Sequence, residues 1–204
     1  MQVVLASRNE KKKKELQTLL GQLLPQIEVL SLDDIGMTED IVENGSRFED
    51  NARLKALAVA KMGYIGIGDD SGLSVRALHG EPGIFSARYA EVKGYGVGHN
   101  DSLNNELLLK NMEGVEDRYA EFVCAICCMF PDDMENPIAV EGICEGSILT
   151  ELHGESGFGY DPLFWVPSLG RTFAELDSQE KNTVSHRGRA VRALAMALKR
   201  RCEV

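Results

Sequence analysis

The sequence is poor in basic residues. Its 204 residues include 22 Lys and Arg against 32 Asp and Glu, which gives a formal net charge of −10. This balance opposes a broad basic surface, so we expect no nucleic-acid partner. A small anionic ligand stays possible, because a local cluster of Lys and Arg can hold a triphosphate inside an acidic protein.

Long apolar runs are also missing. No run approaches the roughly 20 residues that cross a membrane, and residues 1–6 lack the basic start and apolar stretch of a signal peptide. The chain has five cysteines, an odd number, which fits a reducing compartment. We therefore expect a cytoplasmic protein with no membrane partner.

The familiar metal and nucleotide motifs are absent. A zinc site at Cys124 and Cys127 would lack a second pair of ligands, and both residues lie in the apolar run 122–130, where a thiol acts as a small hydrophobic group. Neither the glycine spacing of a P-loop nor that of a dinucleotide fingerprint occurs. We predict buried strand cysteines.

The length favours one domain, residues 1–204, built as two lobes. Apolar runs predict strands at 2–6, 27–32, 119–130, 138–142 and 144–149. Helical spacing predicts one helix that ends before Pro25, one that begins at a capping box of Ser46 and Glu49, one over residues 101–112, and a last helix after residue 188. Because a turn at 131–133 joins two strands as a hairpin, we expect an α/β fold with a mixed sheet.

The stretch 65–75 is the centre of the prediction. Its pattern indicates a strand, a turn at Asp69-Asp70-Ser71-Gly72 and a second strand, with the acids at a strand end. Alternation predicts that Asp69 and Asp70 point to opposite faces. A carboxylate held there suits Mg2+, which prefers carboxylate and phosphate oxygens. Glu43 is a second candidate acid. The alternative is a pair of acids ending an exposed hairpin.

Two other segments have the character of ligand sites. A strand, a polar turn with Ser7 and Asn9, and a helix start with Lys11 and Lys12 offer backbone N–H groups and positive charge to a phosphate. In residues 154–162, glycines flank Phe158, so a flat ligand can approach and stack on an aromatic ring. Solvated lysines and aromatic rings buried for stability are the respective alternatives.

Six segments, in this order along nearly the whole chain, resemble the Ham1/RdgB family of inosine triphosphate pyrophosphatases. They are Ser7-Arg8-Asn9 with Lys12, and residues 48–52, 69–73, 82–89, 157–162 and 185–188. One departure is that family members often carry Thr-Gly-Asn where this chain has Ser7-Arg8-Asn9. No single motif is decisive, but their joint order is specific.

The resemblance implies a fold and an activity. The fold is a long, mixed, twisted sheet with flanking helices, in two lobes around a central nucleotide cleft, assembled as a homodimer. The activity is Mg2+-dependent hydrolysis of ITP, dITP and XTP to the monophosphate and pyrophosphate, which cleanses the nucleotide pool, with Mn2+ as a possible substitute.

The resemblance also implies residue roles. Asp70 is the general base and, with Glu43, a metal ligand. The implied substrate-binding residues are Ser7, Arg8, Asn9, Glu10, Lys11, Lys12, Ser71, Phe158, Gly159, Tyr160, Asp161, Lys181, His186 and Arg187. From the residues alone, three alternatives stay open: a Maf-like pyrophosphatase for modified pyrimidine nucleotides, a nucleotide sensor without turnover, and a metal-binding scaffold.

Overall fold

The computed structural model describes residues 1–202, without the side chain of residue 202. The strands are β1 (Gln2–Leu5), β2 (Glu28–Leu30), β3 (Gly66–Val75), β4 (Tyr119–Phe130), β5 (Asp133–Ile148), β6 (Phe164–Val166) and β7 (Arg171–Thr172). The helices are α1 (Glu10–Leu23), α2 (Phe48–Ala60), α3 (Tyr89–Val92), α4 (Asp101–Asn111), α5 (Ser178–Val184) and α6 (His186–Cys202). Among these residues, no helix is long and apolar enough to cross a membrane.

The sheet is mixed, as predicted. The strands follow the order β2-β1-β3-β4-β5-β6-β7. β1 is parallel to both of its neighbours, and helices α1 and α2 supply the crossovers that parallel neighbours require. β6 is antiparallel to β5 and to β7. The α/β class with a mixed sheet is therefore confirmed.

The chain divides into two compact units, each with its own core. The first unit comprises residues 1–70, 124–142 and the chain from 186 onward, and the second comprises 71–123 and 143–185. In the first unit, residues of β1 and β3 form one buried cluster with leucines of α1 and α6. In the second, the rings of Phe122, Phe164 and Phe173 pack with centroids 4.7 to 5.6 Å apart. The prediction of one domain with two lobes stays a prediction.

Two glycines let α2 lie close against β3. A Cβ at Gly68 would collide with the backbone carbonyl of Ala52, and one at Gly66 with that of Ala56. Because alternate residues of a strand share a face, Asp70 lies on the same face as these glycines. The glycines thus bring α2 within reach of that carboxylate.

Several local predictions were wrong. Residues 66–75 form one continuous strand, so the acids lie in its middle and not at a turn. Gly72 lies within this strand and lacks the positive φ of a turn glycine, because sheet context overrides a weak local preference. β5 likewise runs unbroken from Asp133 to Ile148. The N-cap of α2 is Arg47, whose backbone N–H donates to Asp50, in place of the predicted Ser46 and Glu49.

Candidate active site

Strand β3 presents its two acids to different helices. Asp70 faces α2, whereas Asp69 faces α1 and the start of α6. The alternation of strand side chains predicts this division. Both carboxylates are buried, so each needs charge or hydrogen-bond partners inside the protein.

Asp70 is held by two residues of α2. Lys55 Nζ donates to Asp70 Oδ1 at 2.9 Å, and Asn51 Nδ2 donates to Oδ2 at 3.1 Å. Lys55 Nζ also contacts Glu43 Oε2 at 2.7 Å, so one ammonium joins the two predicted metal ligands. Burial raises the pKa of Asp70, and the charge of Lys55 offsets this only in part, which leaves that pKa above its ordinary value.

Asp69 is the centre of a buried ionic cluster. Lys12 Nζ donates to Oδ1 at 2.6 Å and Arg187 Nε to Oδ2 at 3.1 Å, and the Cys124 thiol lies 3.4 Å from Oδ2. Glu15 Oε2 accepts from Arg187 Nη1 at 2.9 Å. Burial would raise the pKa of Asp69, but the charges of Arg187 and Lys12 hold it well below its ordinary range. The carboxylate of Asp69 therefore stays ionised within this cluster.

The turn after β1 is already partly satisfied by its own side chains. Asn9 Oδ1 accepts from the backbone N–H groups of Lys11 and Lys12 at 3.0 and 3.2 Å, and Ser7 Oγ accepts from Asn9 N–H at 3.1 Å. The backbone donors expected to be free at this helix start are thus fewer than the sequence indicated.

Arg8 points away from the turn. Its guanidinium contacts Asp40 at 2.7 Å and Asp33 at 3.3 Å, and it also donates to the carbonyls of residues 37 and 39. The side chains of Glu10 and Lys11 are exposed. Arg8 therefore anchors the acidic loop 33–40 in this structure.

Loop 157–161 forms the second candidate region. Asp161 Oδ2 accepts from the Phe158 backbone N–H at 2.9 Å and from Lys181 Nζ at 2.5 Å. The ring of Phe158 is 45% exposed, whereas Tyr160 is 2% exposed and donates its hydroxyl hydrogen to the carbonyl of Ser86 at 2.9 Å. Of the two aromatic candidates, Phe158 is the one that can meet a ligand.

The remaining predicted residues take these places. His186 and Arg187 open α6 and are buried in the first unit. Ser71 follows Asp70 directly on β3. Cys124, Cys127 and Cys128 are buried on β4, as predicted.

Sequence reasoning assigned no role to two functional candidates on α2, Lys55 and Asn51, although Asn51 lies in the segment 48–52 that carries the family resemblance. Both are buried on a helix whose other buried residues are small and apolar, namely Ala52, Ala56, Val59 and Ala60. Their spacing of four residues, which puts both on one helix face, was the available signal. A buried lysine almost always has a charged partner.

Comparisons with known proteins found related sequences and related structures. The model of the Ham1 family matches residues 3–197. A curated dITP/XTP pyrophosphatase from Desulfotalea psychrophila is 46% identical over 190 residues, which cover 93% of this chain and 81% of that protein. The Ham1 protein of Staphylococcus aureus superimposes with a TM-score of 0.87 at 40% identity, with 98% of both chains covered. A HAM1 protein from Coxiella burnetii gives a TM-score of 0.88 at 41% identity, covering 98% of this chain and 99% of that one.

Proposed function

Because the chain belongs to the Ham1 family, we propose that it hydrolyses non-canonical purine nucleoside triphosphates, dITP, ITP and XTP, to the monophosphate and pyrophosphate. The observation that carries the proposal is Asp70, a buried carboxylate with a raised pKa, held between Lys55 and Asn51 on a rigid strand. Relatives named dITP/XTP pyrophosphatase align with this chain over nearly its full length.

Asp70 acts as the general base. Lys55 and Asn51 bind one oxygen each, which fixes the orientation of the carboxylate. A raised pKa strengthens a carboxylate as a base. Asp70 orients and deprotonates the attacking water, and attack at the α-phosphorus expels pyrophosphate.

Residues of the first unit bind the phosphates. Lys12 supplies an ammonium that Asp69 holds at 2.6 Å, and Ser7, Asn9, Glu10 and Lys11 line the same turn and helix start. Positive charge here stabilises the negative charge that develops on the leaving pyrophosphate. Arg8 joins them once it leaves its contacts with the loop 33–40.

The donor set fits a divalent metal. Asp70 and Glu43 share one ammonium, so two carboxylates already meet at a single cation. Among residues 1–202, no group of three or more His, Cys, Asp and Glu could hold an ion. Mg2+ suits such a pair, because it is commonly bound by one or two carboxylates plus substrate phosphates. When bound, Mg2+, or Mn2+ in its place, neutralises charge on the triphosphate.

Residues of the second unit bind the nucleoside. Phe158 offers its exposed ring for stacking on the base. Gly159, Tyr160 and Asp161 shape the loop, and Ser71 and Lys181 supply hydrogen-bond donors. His186 and Arg187, which open α6 in the first unit, are the other proposed substrate-binding donors. Donors aimed at a 6-keto oxygen favour hypoxanthine and xanthine over adenine, since a site built to bond one group rejects a base without it.

Pyrophosphate release tests the function. The assay compares ITP, XTP, ATP, GTP and dUTP, each with Mg2+, with Mn2+ and with a chelator. We expect rapid release from ITP and XTP, little from ATP and GTP, and none with the chelator. Preference for dUTP would indicate a pyrimidine enzyme, and tight binding without release would indicate a sensor.

The resemblance extends the proposal to assembly and location. We propose a cytoplasmic homodimer with no nucleic-acid or membrane partner. Light scattering of the purified protein distinguishes a dimer from a monomer of 22.5 kDa.

A further inference from the structure

The loop that carries Phe158 has little regular structure of its own. Gly157 and Gly159 have φ angles of 86° and 61°, in the left-handed region that favours glycine. Glycine-rich backbone is flexible unless something outside the loop holds it. A stacking ring on such a loop binds a base well only if the loop is fixed beforehand.

Helix α4 holds both backbone groups of Gly159. The N–H of Gly159 donates to Asp101 Oδ2 at 2.8 Å, and Asn105 Nδ2 donates to the carbonyl oxygen of Gly159 at 2.8 Å. Asp101 and Asn105 are four residues apart, so they lie on one face of α4. The peptide groups of Gly159 are therefore fixed immediately after Phe158.

The other side of Phe158 is fixed by Asp161. Its Oδ2 accepts from the Phe158 N–H at 2.9 Å and from Lys181 Nζ at 2.5 Å. Lys181 Nζ in turn lies 5.0 Å from the centroid of the Phe158 ring. The ring is thus flanked by two anchored peptide groups and one cation.

Burying Asn105 beside the loop costs free energy of folding. The residue is 7% exposed, and its Oδ1 has no hydrogen-bond partner among the residues that the structure describes. An unpaired buried acceptor destabilises a protein. In Asn105 the amide N–H group has a partner and the amide oxygen has none. This imbalance indicates that the residue is there for its hydrogen bond to Gly159.

We propose that Asp101 and Asn105 are positioning residues for Phe158, which set the pose of the ring that stacks on the purine of a nucleotide. This inference rests on the proposed function, since it concerns the same loop. It assigns α4 to nucleoside binding and not to phosphate chemistry. Loss of either residue raises the KM for XTP and leaves kcat close to that of the wild type.

The experiment measures kcat and KM for XTP, and the competitive inhibition constants of XMP and of inorganic tripolyphosphate. The variants are Asp101→Ala, Asp101→Asn and Asn105→Leu. Ser102→Ala, at an exposed neighbour on α4, is the matched control. We expect Asp101→Ala and Asn105→Leu to weaken XTP and XMP by about 5-fold or more, part of what a lost stacking ring costs, and to leave tripolyphosphate unchanged.

Asp101→Asn retains an oxygen acceptor for the Gly159 N–H, so it should restore most of the XTP affinity. A role through Phe158 also predicts a specific coupling. In a Phe158→Ala background, Asp101→Ala should add less than about 2-fold to the KM, because the ring it positions is gone.

Three results would overturn the inference: an equal effect of Asp101→Ala in both backgrounds, an equal loss of XMP and tripolyphosphate binding, or an unchanged KM in an active enzyme. If Asp101→Ala does not fold, as a melting curve shows, Asn105→Leu enters the cycle in its place. A wild-type protein that releases no pyrophosphate from XTP refutes the proposed function instead, so the two failures are distinguishable.

Discussion

The acids of β3 and the loop 157–161 hold side chains in opposite ways. Asp69 and Asp70 lie in the middle of a strand, are buried, and are fixed by ammonium, guanidinium and amide groups. The loop is shaped by glycines, is held through its backbone, and exposes the ring of Phe158.

The difference has an energetic reason. A buried charge that loses its partner is strongly destabilising, because its own desolvation is then uncompensated. A loop held by hydrogen bonds to its backbone loses less for each bond removed, about 0.5–1.5 kcal/mol for a neutral bond and about 1.5–3 kcal/mol for a bond to a carboxylate. Changes in the strand should therefore abolish turnover or folding, and changes in the loop should weaken nucleotide binding by degrees.

Asp70→Asn should give the largest effect. Asparagine keeps the shape and an oxygen for Lys55 but cannot accept a proton, so kcat should fall by about 100- to 10,000-fold while nucleotide affinity stays within a few fold. Pyrophosphate release gives kcat, and titration calorimetry with a non-hydrolysable XTP analogue gives affinity. Asp132→Asn, at an exposed turn, is the control. Unchanged turnover would remove Asp70 from the mechanism.

Asp69→Asn should mainly affect stability. It leaves the buried guanidinium of Arg187 without its central partner, which costs about 3–5 kcal/mol. Urea unfolding of the metal-free protein measures this loss. Asp34→Asn, which breaks the exposed pair with Lys13, should cost much less. Equal losses would show that burial of the Asp69 cluster does not matter.

The sequence predicted the strand acids well because their pattern is local. Alternation along an extended chain is enough to send Asp69 and Asp70 to opposite faces, and the apolar spacing located α1 and α4 to within a residue or two. The same local reasoning placed a turn at Ser71 and Gly72, where pairing in the sheet extends the strand instead.

The partners of these acids were not predictable in the same way. Lys55 contacts Asp70 across 15 residues, and Arg187 contacts Asp69 across 118. Such pairs depend on how α2 and α6 pack, and this depends in turn on close approaches at glycines, as where Gly142 of β5 leaves room for the backbone of His186. A pattern read along one segment carries no information on packing of that kind.

Lys12→Ala tests whether the ammonium beside Asp69 binds the triphosphate of the nucleotide. An ammonium bonded to phosphate is worth about 1.5–3 kcal/mol, so affinity for the triphosphate should fall roughly 10- to 100-fold, while affinity for the monophosphate changes little. Calorimetry with XMP and a non-hydrolysable XTP analogue measures both. Lys14→Ala, at an exposed lysine on the same helix, should change neither. An equal loss for both ligands would relocate the phosphate site.

A pair of glycine variants in loop 157–161 should give the smallest effects and the finest test of the comparison. Gly157→Ala would place a methyl group against the Asp161 carboxylate, which holds Phe158 and Lys181, whereas the space around a Cβ at Gly159 is open. Both positions have left-handed backbone, so both variants carry a strain of about 1–2 kcal/mol. The KM for XTP should therefore rise more for Gly157→Ala than for Gly159→Ala, with kcat retained in both. A fall in kcat as large as that of Asp70→Asn would mean that the loop takes part in the chemistry, and the contrast between a catalytic strand and a binding loop would be lost.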